Sequence, residues 1–546
     1  MNETKTPASV LPTRGEELAR LLERPERHPK ATGPVMLLFT VLLSAAGSII
    51  GLQLITTLGI TPNTALVGVL LTIAVSRIPL PFLKVFRSVH AQNLTQSGIS
   101  AATYCAANSL LVPAGIPVLL GRPDLMPAML GGAALGMLVD MGMLYWFFDS
   151  RLFPGSAAWP HGIAAAESII AGDQGGKGAR LLMAGGLVGI LGSLAGIPVA
   201  ALGTTFIANI PTVLMFGLGL LARAYSPAVL HLDLNKLYVP HGMMVGAGLV
   251  ALGQALAMIF RKQHAAGRDP ATRSDRVVRN ALGIGFILYL AAAGVVAMAG
   301  GLVAQMPVGR LIGWVFFAAV SCIAAEFIVG FSAMHAGWFP SFATALIFLV
   351  LGMVLGFPPA AAALLVGFVA SGGPAFADGG YDLKAGWYLR GWGKDPEFDL
   401  DGRQQQIISA LVGMLTALAI VLVFHDQYFS RGLIPPIDRV FAATIRSGID
   451  PSVARNLLAW TIPGAILQFG GGTKRQLGIL FATGLLLTNA AAGWVILAGL
   501  AVRLGLQQKY GTAFATRLSV FGAGCIAGNA LADFGGSIFT ARFRGK

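Results

Sequence analysis

The chain has 546 residues, 55% of them hydrophobic and only 11% charged, with a mean hydropathy of +0.72. Ordinary soluble domains carry about 25% charged residues, so a soluble enzyme or binding module is excluded and an integral membrane protein is indicated. The formal net charge of +14 does not call for a nucleic-acid partner, because the basic residues gather in connectors between apolar runs, where they anchor and orient a chain in a lipid bilayer.

In chain order, residues 1–32 are polar and of mixed charge, with no apolar centre followed by a cleavage site. They are expected to form a cytoplasmic segment, with the first helix itself directing insertion. Apolar segments at 33–58, 62–84, 97–120, 125–148, 180–203, 205–224 and 238–260 make a first transmembrane half, 33–260, interrupted by a shorter piece at 156–172. A basic connector, 261–280, is expected in the cytoplasm. The second half, 281–546, holds segments near 281–305, 309–333, 339–357, 359–377, 405–425, 434–448, 452–471, 476–503 and 512–538. Most are long enough for an α-helix to cross about 30 Å of hydrocarbon, and the short alternating segments of a β-barrel are absent. The reading is an all-α polytopic membrane protein of about sixteen transmembrane helices, with the short pieces broken or re-entrant.

Basic stretches lie at the N-terminus, at 77–87, at 261–279 and at 542–546. The positive-inside rule puts all four in the cytoplasm, so both termini are expected inside; the location expected is a bacterial-type inner (plasma) membrane. An even number of crossings must separate them. The segment list is odd, so one short segment re-enters or is misplaced. Cys105, Cys322 and Cys525 are scattered through apolar segments, so no disulfide framework, metal site or cofactor is indicated.

A duplication is visible. GAGLVALGQALA starts at Gly246 and GAGCIAGNALA at Gly522, 276 positions later, and the same offset relates Pro160 to Pro436 and Gly172 to Gly448. Three matches on one offset favour two homologous halves over chance among Gly/Ala-rich helices.

An ionisable side chain at the bilayer centre costs about 2.5–3.5 kcal/mol by insertion measurements, which marks it as a candidate for substrate or ion handling. The candidates are Asp140, His161, Glu167, Glu326, His335, Asp378, Asp382, Lys384 and Asp533. Asp140 and Glu326 lie too deep in their spans to reach water by snorkelling. Two stretches add helix breakers: Pro154, Pro160 and Gly162 around His161 and Glu167, and Gly372, Gly373, Pro374, Gly379 and Gly380 around Asp378. Breaking a helix inside a membrane is tolerated only within protein or beside a watery cavity, and transporters aim such broken ends at substrates. The plainer reading of 377–391 is an interfacial helix end, with Trp387 and Tyr388 as an aromatic anchor and Arg390 in water. Asp378 and Asp382, four apart, share a face if helical. For His161 a plainer role also stands, as a polar residue satisfied by nearby backbone. No Walker A sequence occurs, so a gradient rather than ATP must drive any transport. No H-E-x-x-H or G-x-S-x-G motif suggests an enzyme.

These residues resemble the oligopeptide transporter superfamily, and more closely its yellow stripe-like and prokaryotic branch. The likeness rests on A-D-x-x-x-D-x-K-x-G (Ala377, Asp378, Asp382, Lys384, Gly386), on the aromatic-Pro-x-Gly-x-Ala stretch (Trp159, Pro160, Gly162, Ala164), and on the polar start of the third segment (Asn93, Gln96). It covers nearly the whole chain in order. The resemblance implies about sixteen helices in two related halves, a proton-coupled importer of small peptides or metal chelates, and a transport path lined by the Asp/Lys and Pro-Gly segments. His161 replaces the family's small polar residue before Gly162. PPIDRVFAAT is more polar than its usual counterpart, and the NPG and KIPPR signatures of the eukaryotic peptide branch are missing.

The combined expectation is a glycine-broken helix on which Asp378 and Asp382 carry the coupling proton or meet a cationic group of the substrate, with Lys384 neutralising them when the site is empty. Glu167 and His161 would face them from the first half. The partners expected are a peptide or metal-chelate substrate, protons and the bilayer. A homodimer is compatible with this but not required to build the site. A channel or membrane scaffold is the alternative of a different class.

Overall fold

The computed structural model describes residues 27–58, 64–76, 78–174, 176–260, 272–337, 339–448, 451–487, 489–511 and 513–543. Among these residues there are twenty α-helices and no strand. The first ten are α1 Pro34–Leu58, α2 Thr64–Ser76, α3 Val89–Tyr104, α4 Val112–Leu120, α5 Met126–Phe147, α6 Pro160–Gln174, α7 Gly176–Leu194, α8 Val199–Ile207, α9 Ile210–Val229 and α10 Val239–Phe260. The rest are α11 Asp275–Ala299, α12 Val308–Ala336, α13 Ser341–Val354, α14 Pro359–Leu389, α15 Pro396–Ser430, α16 Pro436–Ser447, α17 Pro451–Arg475, α18 Leu477–Leu486, α19 Ala490–Tyr510 and α20 Ala513–Phe543. A π-helical turn, Cys105–Leu111, joins α3 to α4 where Pro113 and Pro117 remove two N–H donors from the ladder.

Nine helical stretches among the described residues are long and apolar enough to cross a membrane, and four shorter apolar helices accompany them. The all-α polytopic membrane fold expected from composition is what forms. Several spans expected as single helices are divided. Residues 180–203 are split ahead of Pro198, and 476–503 divides where the Asn489 side chain caps α19 by accepting from the Ala492 N–H. At 1.5 Å per residue, α8 and α18 are each about half a bilayer long or less. Outward apolar stripes such as Leu458, Ile462, Ile466 and Phe469 on α17 are 63–77% exposed. Lipid is the solvent that makes this burial pattern stable.

The expectation of a helix broken at Gly372, Gly373, Pro374, Gly379 and Gly380 is wrong. α14 runs unbroken for 31 residues, with Pro374 inside it and every residue from Ala360 to Leu389 buried. The expected span 359–377 therefore continues through the Asp/Lys stretch. Its glycines serve approach rather than interruption: a Cβ on Gly372 would strike the Asp140 carboxylate, one on Gly373 Ser341, one on Gly379 Leu144, and one on Gly380 the Trp159 ring. With protein on every side, neighbouring helices hold a proline-bearing segment that would bend or break in isolation. Pro160 does start a helix, at the first position of α6, where its missing N–H costs nothing. Gly162 lies within that helix.

The offset of 276 recurs in the helix order. Shifted by that amount, to within about seven residues, α1 falls on α12, α2 on α13, the α3–α4 pair on α14, and α5 through α10 on α15 through α20. α11 has no counterpart among the described helices. Packing repeats as well: α7 lies along α20 as α17 lies along α10, and α6 crosses α14 as α16 crosses α4. Small residues permit both long contacts. Gly185 and Gly189 of α7 meet the α20 backbone at Phe521 and Cys525, and Gly246 of α10 meets the α17 backbone at Thr461. Because the obstacle at Gly246 is backbone, Gly246→Leu is expected to push α10 and α17 apart at a cost of about 1–3 kcal/mol or more, read as a lower unfolding temperature of the purified protein. Gly253→Leu, where a Cβ meets nothing within 4 Å, is its control.

Candidate functional site

The ionisable residues of α14 lie at the centre of the molecule, where six aromatic side chains (Phe147, Phe153, Trp159, Phe327, Phe331 and Phe376) pack α5, α12 and α14 around the loop leading to α6. That loop, 148–159, is held in unusual backbone geometry: Asp149 has φ 58° and Trp159 φ 40°, a region that non-glycine residues rarely occupy. Trp159 is fixed by its N–H to the Met334 carbonyl at 2.8 Å and by its indole N–H to the Pro154 carbonyl at 3.2 Å. The next residue begins α6, so this fixed turn sets the entry of α6 onto α14.

Asp382 accepts from Gln96 Nε2 of α3 at 2.6 Å, and Asn93 Nδ2 donates to Gln96 Oε1 at 3.1 Å. Its backbone carbonyl accepts from Gln406 Nε2 of α15 at 2.8 Å, and the same nitrogen reaches Ser97 Oγ at 3.0 Å. The second carboxylate oxygen of Asp382 has no protein partner. Asp378 is buried one turn earlier on α14.

Lys384 does not neutralise either aspartate. Its Nζ donates to the carbonyls of Gly155 at 2.7 Å and Ala157 at 3.1 Å and lies 4.5 Å over the Trp387 ring. Two residues on from Asp382, it points about 200° round the helix, toward the 148–159 loop. Its stem lies against Gly162, whose missing Cβ makes room for it. The His161 ring lies 4.9 Å from that of Tyr381, tilted by 52°, with a buried Nε2 that has no protein partner. Glu167, farther along α6, accepts from the Tyr388 hydroxyl at 2.5 Å rather than facing the aspartates. His335 is buried, also with an unpartnered Nε2. The Asp533 side chain lies outside the described residues.

Asp140 of α5 and Glu326 of α12 are brought together by a residue that sequence reasoning missed. The Tyr289 hydroxyl of α11 is hydrogen-bonded to a carboxylate oxygen of each. A tyrosine in an apolar run carries no sequence signal of such a role.

The plainer reading of Arg390 fails too. Its side chain is fully buried, as are those of Asp399 and Arg403. Arg390 Nε pairs with Asp399 Oδ1 at 2.8 Å, Arg403 Nη2 with Asp399 Oδ2 at 2.5 Å, and Arg390 Nη1 donates to Gln406 Oε1 at 2.7 Å. Arg403 also donates to the Phe148 carbonyl at 2.9 Å and to Thr272 Oγ1 at 3.0 Å, while Thr272 donates to Asp149 Oδ2 at 2.8 Å. The network thus ties α14, α15 and the strained loop together. Trp387 and Tyr388, expected as an interfacial anchor, are buried beside it. Ahead of α1, burial and then the nearby Arg390 charge push His28 down to about 4, leaving it neutral at pH 7.

The arrangement therefore has four buried polar centres around α14: Asp378 and Asp382 with α3, Lys384 with the loop and α6, the Asp140–Tyr289–Glu326 bridge, and the Arg390–Asp399–Arg403 cluster at its C-terminal end. None forms a group of three or more His, Cys, Asp or Glu able to hold a metal ion among the described residues. Comparison with known families brings a match to the OPT oligopeptide transporter protein family over residues 236–540. This is more than half of the chain, and it runs from just before α10 into α20, taking in all of α14. The chain belongs to the oligopeptide transporter family. The comparison with curated proteins found no match. In this transporter family member, the segment carrying Asp378, Asp382 and Lys384 is a buried, continuous helix, and α1 to α9 of the first repeat lie outside the matched region while its last helix, α10, lies within it.

Proposed function

We propose that the protein is a proton-coupled symporter of small peptides, working by alternating access in a bacterial-type plasma membrane with both termini in the cytoplasm. The observation that carries this reading is the placing of Asp378, Asp382 and Lys384 within two turns of a wholly buried helix in a transporter-family chain. Ionisable groups in such a position are costly to bury, which marks them by default as part of a substrate or ion pathway. The helix is contacted from the first repeat by α3 and α6 and from the second by α15, so rocking one repeat against the other would alter the surroundings of all three groups. The substrate and proton path would be lined by these residues with His161, Glu167, Asp140 and Glu326. Lys384 is suited to a peptide carboxylate and Asp378 to its amino group.

Uptake of a peptide pool into proteoliposomes under an inward proton gradient, read by mass spectrometry, tests this. Saturable accumulation that collapses with the gradient is expected, and Asp382→Asn should reduce it by about tenfold or more, since a coupled charge supplies at least that driving force at about 100 mV. Unchanged proton-driven uptake in Asp382→Asn would remove Asp382 from the mechanism, and linear flux indifferent to pH would favour a channel. A metal-chelate substrate is the second reading, favoured by the unpartnered Nε2 atoms of His161 and His335. It would appear as preferential uptake of iron, copper or nickel complexes over free peptides.

A further inference from the structure

The Asp140–Tyr289–Glu326 bridge has a proton count that its side chains alone do not satisfy. A phenol has one hydrogen to donate, yet the Tyr289 oxygen is hydrogen-bonded to a carboxylate oxygen on each side. One contact uses the phenol's own hydrogen. The other needs a hydrogen on the carboxyl group, donated to the tyrosine oxygen. Two ionised carboxylates around one hydroxyl would also leave a double negative charge in a site closed to water, with no cation to offset it.

The surroundings bear this out. Asp140 and Glu326 are 0% and 1% exposed, and Asp140 Oδ2 and Glu326 Oε2 have no protein partner. Among the described residues, the helices packed around the bridge bring no lysine or arginine to it. α12 offers Cys322, α11 Tyr289 itself, and α14 Ser371 and Gly372, with Asp378 further along; α3 and the π-helical turn bring Tyr104 and Cys105. The Tyr104 hydroxyl is buried and also without a protein partner. It lies 3.6 Å from where a Cβ on Gly379 would stand, seven residues along α14 from the Gly372 that meets Asp140. Gly372 and Gly379 share one face of the helix, about 10 Å apart, so Tyr104 stands at the level of Asp378 and Asp382, about 10 Å along α14 from the acid bridge. The bridge also joins three parts of the fold: α5 of the first repeat, α12 of the second, and the unduplicated α11. Movement between the repeats must change its geometry, and with it the preference for holding one proton or none.

We infer that Asp140 and Glu326, bridged by Tyr289, form a shared proton site whose loading is tied to the relative position of the two repeats, separate from the substrate contacts on α14. This rests on the transport reading for its consequence but not for its existence. On release, the site opens to water, the proton passes from one carboxyl oxygen to a water molecule that carries it off as hydronium, and the two carboxylates then compete for the phenol's hydrogen. On uptake, one O–H bond re-forms and the three-oxygen chain closes.

The test uses the full chain in proteoliposomes in two arms. In the first, difference infrared spectroscopy over a pH titration follows the carboxylic-acid carbonyl band. A protonated band is expected at neutral pH that disappears in the Asp140→Asn/Glu326→Gln double variant and shifts in Tyr289→Phe. A spectrum unchanged by the double variant at every pH overturns the proposal. In the second arm, Glu326→Gln should lose most of the roughly fifty-fold accumulation that one coupled proton supports at about 100 mV, and whatever gradient-free exchange of substrate it retains should lose the pH dependence shown by the wild type. Accumulation equal to wild type overturns the coupling role. Absence of exchange in the wild type would sink the transport reading, and the infrared arm would still decide whether the pair holds a proton.

Discussion

Asp399→Ala is expected to cost about 3–5 kcal/mol of folding stability, a large share of the about 5–15 kcal/mol that holds an ordinary folded protein together. The carboxylate lies between the Arg390 and Arg403 guanidinium groups at 2.8 and 2.5 Å, and none of the three side chains reaches solvent. Removing it strands two cations, and Asp149, 3.6 Å from Arg403, cannot balance both. The loss should appear as a lower unfolding midpoint in detergent and a smaller folded yield. The triple variant Arg390→Met/Asp399→Leu/Arg403→Met should recover much of it, because a buried ion cluster replaced whole by apolar side chains is often close to neutral. If the triple variant is as unstable as the single one, the cost comes from the orphaned Gln406 side chain and Phe148 carbonyl rather than from unpaired charge.

That cluster also shows where the sequence stopped being legible. Composition was enough to read an all-helical membrane fold, because hydropathy over a bilayer's length has few other physical meanings. The 276-residue offset was legible in Gly246 and Gly522, and the structure shows why those positions keep glycine: each sits at a helix crossing where a Cβ would meet a neighbouring helix's backbone. Glycine and proline misled at Gly372, Pro374 and Gly379. Local propensity reads them as breaks, whereas close packing on every side of α14 uses the same absence of a side chain for contact. Arg390 was assigned to water because it stands near a helix end. The spacing of Asp399 and Arg403, four apart at the start of α15, was a usable signal of a paired charge. Gln96 was legible only through family resemblance, and nothing in sequence alone would have placed Tyr289 between Asp140 and Glu326.

Lys384→Met is expected to leave a folded protein whose uptake falls by about tenfold or more. Methionine keeps the stem that packs on Gly162 but removes the ammonium from the carbonyls of Gly155 and Ala157. Hydrogen bonds from a charged group contribute about 1.5–3 kcal/mol each. Their loss should free the 148–159 loop from α14, and with it the entry of α6, where Trp159 at φ 40° already sits in disfavoured geometry. The conformation with α6 seated on α14 would lose population to the others, so the defect should be one of conformational balance as well as of substrate contact. A cysteine at Ala157 reports on this directly, because Cys105, Cys322 and Cys525 are all buried and should react slowly with a water-soluble alkylating reagent. Ala157→Cys should be labelled slowly when Lys384 is present and several-fold faster beside Lys384→Met. Equal labelling with lost uptake would make Lys384 a substrate contact only. Faster labelling with unchanged uptake would make the loop contact a structural latch that transport does not use.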